Sequence, residues 1–234
     1  VIFLDDIARQ QAESQQLKLA ALGRLTANIA HEIRNPLSSI SHAAELLEED
    51  SHDVLTRKLT RIIRDNTKRL DAMVQDILQL NRRDRTQPEK IDLQEYLQHF
   101  CDELSANEHL PAGAIQLQIS APLYLSFDRT HLHQVLWNLC RNAWRYCRQQ
   151  PGSITMRAEP GRNGIRLEVS DDGPGVKPEH RDRLFEPFFT TDDSNGSGLG
   201  LYIAREICAA NRATLDYVDN NGLTTFRISG KEWE

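Results

Sequence analysis

The sequence predicts an α+β protein in two parts, a helical hairpin that pairs with a second copy into a dimeric four-helix bundle, followed by an α/β sandwich. Three observations carry this. Two consecutive stretches repeat apolar residues in steps of three and four, the mark of one buried helix side. After Pro88 the texture changes to short strands with alternating apolar residues, mixed with helices. A Gly- and Pro-rich stretch then runs to Gly200 between the last strands and helix. At 234 residues the chain is long enough for two modest domains with separate cores.

Taken in order, Val1 to Asp6 look like the last strand of an upstream unit running into a helix, and a start at Val1 rather than Met suggests a piece of a longer protein. Residues 1–16 are expected to form a linker helix, 17–86 the hairpin domain and 87–234 the second domain. The first hairpin helix carries Leu22, Leu25, Ile29, Ile33, Leu37, Ile40, Ala44 and Leu47 on one side. The polar run Asp50 to Asp53 breaks it and caps the second helix, whose series is Leu55, Leu59, Ile62, Asn66, Leu70, Met73, Ile77 and Leu80. A lone hairpin cannot cover both stripes, so a homodimer is expected. Arg82 to Glu89 is charged and aperiodic and reads as a linker.

The second domain is expected to begin with a helix from Asp92 to Leu104, capped by Asp92, and strands at Ile115–Ile119 and Leu123–Phe127. Asp128 caps a helix to about Gln149. Strands at Ser153–Ala158 and Ile165–Ser170, a helix from Leu199 to Ala210 and strands at Thr214–Val218 and Thr224–Ser229 complete a sheet with helices on one face.

Composition removes several functions. A formal charge of -6 without a dense Lys/Arg run argues against a nucleic-acid surface. No apolar run is long enough to span a bilayer and no signal peptide is present, so the covered chain is expected outside the membrane. Cys101, Cys140, Cys147 and Cys208 are scattered without a CxxC pair, which fits reduced thiols in a cytoplasmic setting. His131 and His133, two apart on a helix, cannot share a metal; His42, His52, His99, His109 and His180 read as surface residues.

The first helix contains His31-Glu32-Ile33-Arg34-Asn35-Pro36-Leu37. His31 and Asn35 share a helix face. An imidazole attacks a phosphoryl group only through a neutral nitrogen, so a carboxylate such as Glu32 that takes the other ring proton raises its nucleophilicity. Asn35 could orient a water for the reverse hydrolysis. Pro36 removes one helical hydrogen bond and lets the helix bend just past the histidine. On spacing alone a solvated His-Glu helix face explains the block equally well. The zinc motif HExxH is excluded by Asn35.

Three further blocks could hold a nucleotide. Asn138 and Asn142 are one helical turn apart, so their amide oxygens can converge on a hard cation such as Mg²⁺; Arg145 follows on the same side to reach a phosphate. Trp137 and Trp144 are expected to pack in the core. Asp171 precedes Gly173-Pro174-Gly175, and a carboxylate at a strand end beside such a turn suits the exocyclic amine of adenine; taken by itself, the motif is better explained by a plain Asp-Gly turn. Gly196, Gly198 and Gly200 let the backbone approach a polyphosphate at the start of a helix that begins near Leu199.

Together these blocks resemble the cytoplasmic core of bacterial sensor histidine kinases. Ala27 to Leu37 resembles the H box of the HisKA type, and the remainder the N, G1, F and G2 boxes of the GHKL (Bergerat) ATPase fold, with Phe185 to Thr191 as the F box. The resemblance implies ATP and Mg as cofactors, with autophosphorylation of His31 and transfer to an aspartate of a response regulator, coupled to phosphatase activity. It implies Glu32 and Asn35 as catalytic partners. It places Asn138, Asn142, Arg145, Tyr146, Asp171, Gly173, Gly175, Thr190, Thr191, Gly196, Gly198, Leu199, Gly200 and Leu201 at the nucleotide, with Asn138 and Asn142 on the metal. Leu17 to Thr26 and Leu201 to Glu206 are similar to the PilS-like branch that controls type IV pilin transcription. That branch implies an activator of the nitrogen-regulator type as partner, a PAS domain upstream and a membrane anchor in the full protein. One departure stands out: many members carry a lysine after the paired threonines, where this chain has Asp192 and Asp193, which repel a triphosphate unless Arg145, Arg181 or Arg183 compensates. Two other classes stay open, a GHKL ATPase clamp and a docking or phosphatase module with weak ATP binding.

Overall fold

The computed structural model describes residues 33–47, 56–67, 70, 74, 86–120, 122–162, 164–191, 198–220 and 222–233. His31, Glu32, His52, Asp192, Asp193 and Gly196 lie outside them. The chain divides into two compact units, each taken by itself.

In the first unit, residues 33–47 form helix α1 and residues 56–67 helix α2. Ala43 on α1 and Leu59 on α2 are buried, whereas Leu37 is 55% exposed. Helical backbone continues through Pro36, which lies in the first turn of the described part of α1. Asn66, written into an otherwise apolar stripe, turns its amide onto the Ile62 carbonyl at 2.8 Å, which satisfies it within its own helix.

The second unit runs β1 (Glu89–Asp92), α3 (Leu93–Asn107), β2 (Ile115–Ile119), β3 (Tyr124–Phe127), α4 (Arg129–Tyr146), β4 (Ile154–Gly161), β5 (Gly164–Asp171), α5 (Pro178–Arg181), α6 (Gly200–Ala210), β6 (Thr214–Asn220) and β7 (Leu223–Gly230). Five strands form one sheet in the order β2-β4-β5-β7-β6, with β2 parallel to β4 and the rest antiparallel. The short β1 pairs with β3 in a separate ribbon, and the C-terminal residues lace onto β3 through Trp233 N–H to Tyr124 O at 2.7 Å and Ser126 N–H to Lys231 O at 2.9 Å. Alternating side chains of the sheet, such as Met156, Leu167 and Val169, meet the apolar faces of α3, α4 and α6 in one core that includes Phe100, Leu136 and Ile203.

Helices α3 and α4 are each started by an aspartate cap. Asp92 Oδ1 accepts from the amides of Gln94 and Glu95 at the head of α3, as expected of the cap. α4 stops at Tyr146 rather than at Gln149: Gln149 and Gly152 adopt positive φ of 56° and 81°, and Pro151 follows, so the helix cannot continue. β4 extends through Pro160 because it overhangs β2, whose last partner is Ala158, so the missing proline donor costs no ladder bond on that side. β1 and α5, four residues each, were not expected; both are shorter than the period that would reveal them.

Candidate nucleotide site

Helix α4 supplies the first wall of the site. Its N-cap, Asp128, accepts from His131 N–H at 3.0 Å and, through its other oxygen, from Gln87 N–H at 2.9 Å. Burial would push this carboxyl up, but the backbone donors Gln87 and His131 outweigh it and hold it below the usual carboxylate range. Asn211, just past α6, accepts from Asp128 N–H at 3.0 Å while its amide reaches Ile207 O at 2.9 Å and His131 Nδ1 at 3.0 Å. His131 therefore carries its proton on Nε2. The head of α4 is laced to the tail of α6, and the two helices run antiparallel.

Farther along, Asn138, Asn142 and Arg145 are half-buried while Leu139, Cys140 and Ala143 on the other side are in the core. Asn138 Nδ2 donates to the Gly200 carbonyl at 3.2 Å, which brings the head of α6 to the middle of α4. Its Oδ1 is then the end available to accept a cation. Arg145 lies over the Tyr146 ring at 5.6 Å, and that ring is 36% exposed. Trp137 and Trp144 pack against the core only partly, and His133 stacks on Trp137 at 5.5 Å.

Strand β5, central in the sheet, supplies the second wall. Asp171 at its end is 3% exposed. Burial pushes its carboxyl up to about 6, although the amide of Gly173 at 2.9 Å and the hydroxyl of Thr224, its cross-strand partner on β7, both pull it down. A carboxylate buried with two donors and no cation is prepared for a third donor from outside. Gly173 must be glycine on geometry: a Cβ there would lie 2.5 Å from the Tyr146 carbonyl oxygen. The turn is thus pressed against the end of α4, and Gly175 beyond it stands in open space.

Asp172 has a different task from its neighbour. It accepts from Arg148 N–H at 3.0 Å and from Ser153 Oγ at 3.1 Å, pinning the α4–β4 loop beside the site.

The head of α6 closes the arrangement. Leu199, the N-cap residue, is buried and its side chain makes no cap hydrogen bond. Gly198 has a φ of +70°, a Cβ there would sit 2.5 Å from the Phe188 carbonyl carbon, and its own carbonyl accepts from Phe188 N–H at 3.0 Å. Leu201 and Thr190 are half-buried and Thr191 is exposed.

Arg181 and Arg183, considered as counterweights to the acidic pair, are already engaged. Arg181 binds Asp219 at 2.6 Å and Val176 O at 3.2 Å, and Arg183 binds Glu186 at 3.0 Å. His180, expected at the surface, is half-buried against Phe189. Among the described residues no group of three His, Cys, Asp or Glu side chains could hold a metal. Also among them, no helix is long and apolar enough to cross a membrane.

Sequence reasoning missed Thr224, Asn211 and the pinning role of Asp172. Each acts through a partner distant in sequence, and only the β5–β7 register and the α4–α6 pairing bring the partners together.

The sequence profile of the His Kinase A (phospho-acceptor) domain matches residues 21–86, and that of the histidine kinase-, DNA gyrase B-, and HSP90-like ATPase matches residues 127–232. The chain is 45% identical over 241 residues to the sensor protein kinase PilS of Pseudomonas aeruginosa, which covers 98% of this chain and 44% of that protein. It thus spans less than half the length of that relative. Among solved structures, the histidine kinase ThkA in complex with the response regulator protein TrrA superposes with a TM-score of 0.73 at 25% identity, over 93% of this chain and 64% of that one. Full-length ShkA in complex with AMPPNP gives 0.60 at 26%, over 88% and 45%. The resemblance read from the motif blocks is borne out: the chain belongs to the sensor histidine kinases, with a HisKA domain followed by a GHKL-type ATPase domain.

Proposed function

We propose that this chain is the autokinase core of a two-component sensor. Residues 87–234 bind Mg-ATP and deliver the γ-phosphoryl group to His31 within residues 17–86; the phosphoramidate then passes to an aspartate of a response regulator. The observation that carries the nucleotide half is Asp171: a buried carboxylate fixed by Gly173 and Thr224, with room in its hydrogen bonding for the exocyclic amine of adenine. Asn138 and Asn142 present amide oxygens suited to Mg²⁺, which when bound neutralises phosphate charge. Arg145, Tyr146, Thr190, Thr191 and the backbone of Gly198 to Leu201 would hold the rest of the nucleotide, the uncapped head of α6 facing its phosphates. Catalysis rests on positioning and charge neutralisation.

Glu32 takes the second ring proton of His31, and Asn35, exposed on α1, orients water for dephosphorylation of the regulator. Exposed Leu37 supports burial against a second copy in a homodimer. The ThkA–TrrA complex supports a response regulator as partner, and the branch resemblance in the sequence implies one of the nitrogen-regulator type. The branch resemblance of Leu17 to Thr26 and Leu201 to Glu206 implies an upstream PAS domain through a linker at residues 1–16, a membrane anchor in the full protein and a cytoplasmic position for this part.

The test is incubation with γ-labelled ATP and Mg²⁺ beside His31→Gln. Label lost in acid, kept in alkali and absent from the variant is expected. Hydrolysis without label would replace this reading by a GHKL clamp, and neither label nor hydrolysis by a docking or phosphatase module. Glu32→Ala should cut labelling while ATP binding persists; Asn35→Ala should spare labelling and slow loss of phosphate from the regulator.

A further inference from the structure

Three sulfur atoms from three separate elements meet in the core of the second unit. Cys101 Sγ on α3 lies 3.7 Å from Met156 Sδ on β4, and Cys140 Sγ on α4 lies 3.9 Å from the same atom. Cys140 and Met156 are fully buried and Cys101 is 9% exposed; both cysteines are free thiols. A three-coordinate soft ion with metal–sulfur bonds of about 2.3 Å sets its sulfurs about 4.0 Å apart. Both Cys–Met edges already stand close to that separation.

Thiolate and thioether are the ligands that select Cu(I) over harder cations. The cluster is approached from the Cys101 side. Cys101 also forms part of the wall of a cavity of about 300 Å³ between α3 and β2, beside Gln98, Asp102, Ser105 and Leu110. Burial pushes the Cys101 thiol up to about 11 and the Cys140 thiol further, so the metal-free core holds neutral S–H groups and no buried charge.

We propose that Cys101, Cys140 and Met156 form a binding site for one monovalent soft metal ion of the Cu(I) class. Binding breaks two S–H bonds, releases two protons and forms two Cu–S bonds, with a lone pair of the Met156 sulfur as third donor; no oxidation state changes. The site shares no residue with the nucleotide wall, so it stands or falls independently of the kinase reading.

The experiment titrates Cu(I) into the reduced whole chain without oxygen, against bicinchoninate as competitor. One equivalent should be withheld from the competitor, with a thiolate-to-copper absorption band and a rise in Tm. Cys101→Ser and Cys140→Ser should each weaken retention at least about a hundredfold, and Met156→Leu about tenfold, since even partners outside the coordination sphere cost 10- to 100-fold. Cys147→Ser, which removes the half-exposed thiol, should change nothing. No equivalent withheld would overturn the proposal. So would retention abolished by Cys147→Ser and kept in Cys101→Ser, the behaviour of an ion on an exposed thiol. If Cys140→Ser does not fold by circular dichroism, Cys101→Ser at the cavity wall and Met156→Leu decide the matter.

Discussion

Asn138 on α4 holds the carbonyl oxygen of Gly200 at the head of α6 through its side-chain amide, at 3.2 Å. One residue thereby ties the middle of α4 to the head of α6 and leaves its own Oδ1 for the cation proposed above. Asn138→Ala should lower stability without nucleotide by about 1 kcal/mol, the net value of a hydrogen bond. Affinity for Mg-ATP should fall about tenfold or more, for one lost metal ligand and a looser α6. Calorimetric titration reads the second effect, and unchanged affinity would remove Asn138 from the site.

The Asp171 carboxyl titrates near 6 because burial outweighs its two donors. As pH falls through 6 the carboxylate takes a proton and becomes a poorer acceptor for the adenine amine. ATP affinity should therefore weaken below that pH, beyond the phosphate's own titration, and Asp171→Asn should keep only the phosphate part. Identical profiles for parent and variant would refute the assignment.

The same group has a stability signature of opposite sense from a salt-bridged carboxylate. Its native pKa of about 6 lies above the ordinary 3.8 of aspartate, so between the two values the folded state holds the extra proton and stability falls as pH rises. Asp171→Asn should leave Tm unchanged near pH 4 and raise it at pH 7. A lower Tm at pH 7 would show that burial is not the dominant cause of the shift.

Asp128 joins the head of α4, the Gln87 amide and Asn211. Asp128→Ala should cost about 1–2 kcal/mol, the upper range for an N-cap. Hydrogen exchange at Gln87 should accelerate along with that at His131. Exchange that quickens at His131 alone would mean that the cap does not hold the linker end.

The two glycines of the turn after β5 should respond differently. Gly173→Ala forces a Cβ to within 2.5 Å of the Tyr146 carbonyl and should abolish ATP binding by displacing the turn. Gly175→Ala meets open space and carries only the cost of its φ of +77°, about 1–2 kcal/mol. Equal loss in both would point to backbone conformation rather than close approach as the constraint.

Most of the second unit could be read from the sequence because its elements announce themselves locally. Asp92 and Asp128 precede apolar-periodic runs, and β2 and β3 alternate cleanly. β1 and α5 are too short to display a period, and the end of α4 depends on the positive φ of Gln149, a residue with no turn signature. At the site, Asp171 and Gly173 were visible as neighbours in sequence. Thr224 was not, because its link to Asp171 is a matter of cross-strand register. Arg181 and Arg183 looked free in the sequence and proved committed, since Asp219 and Glu186 reach them only in the folded chain.

The Phe188 N–H to Gly198 carbonyl hydrogen bond ties together the two residues that flank 189–197 in sequence. With its closure fixed at the base, the intervening stretch can change length at little thermodynamic cost: doubling a loop adds only about 0.6 kcal/mol of closure entropy. Segments of different length and charge could therefore be exchanged at this position without disturbing the helices beneath it. The acidic pair at Asp192 and Asp193 then reads as a local variation on a replaceable cassette, one whose swap for a lysine-bearing segment would alter nucleotide affinity and leave the fold alone.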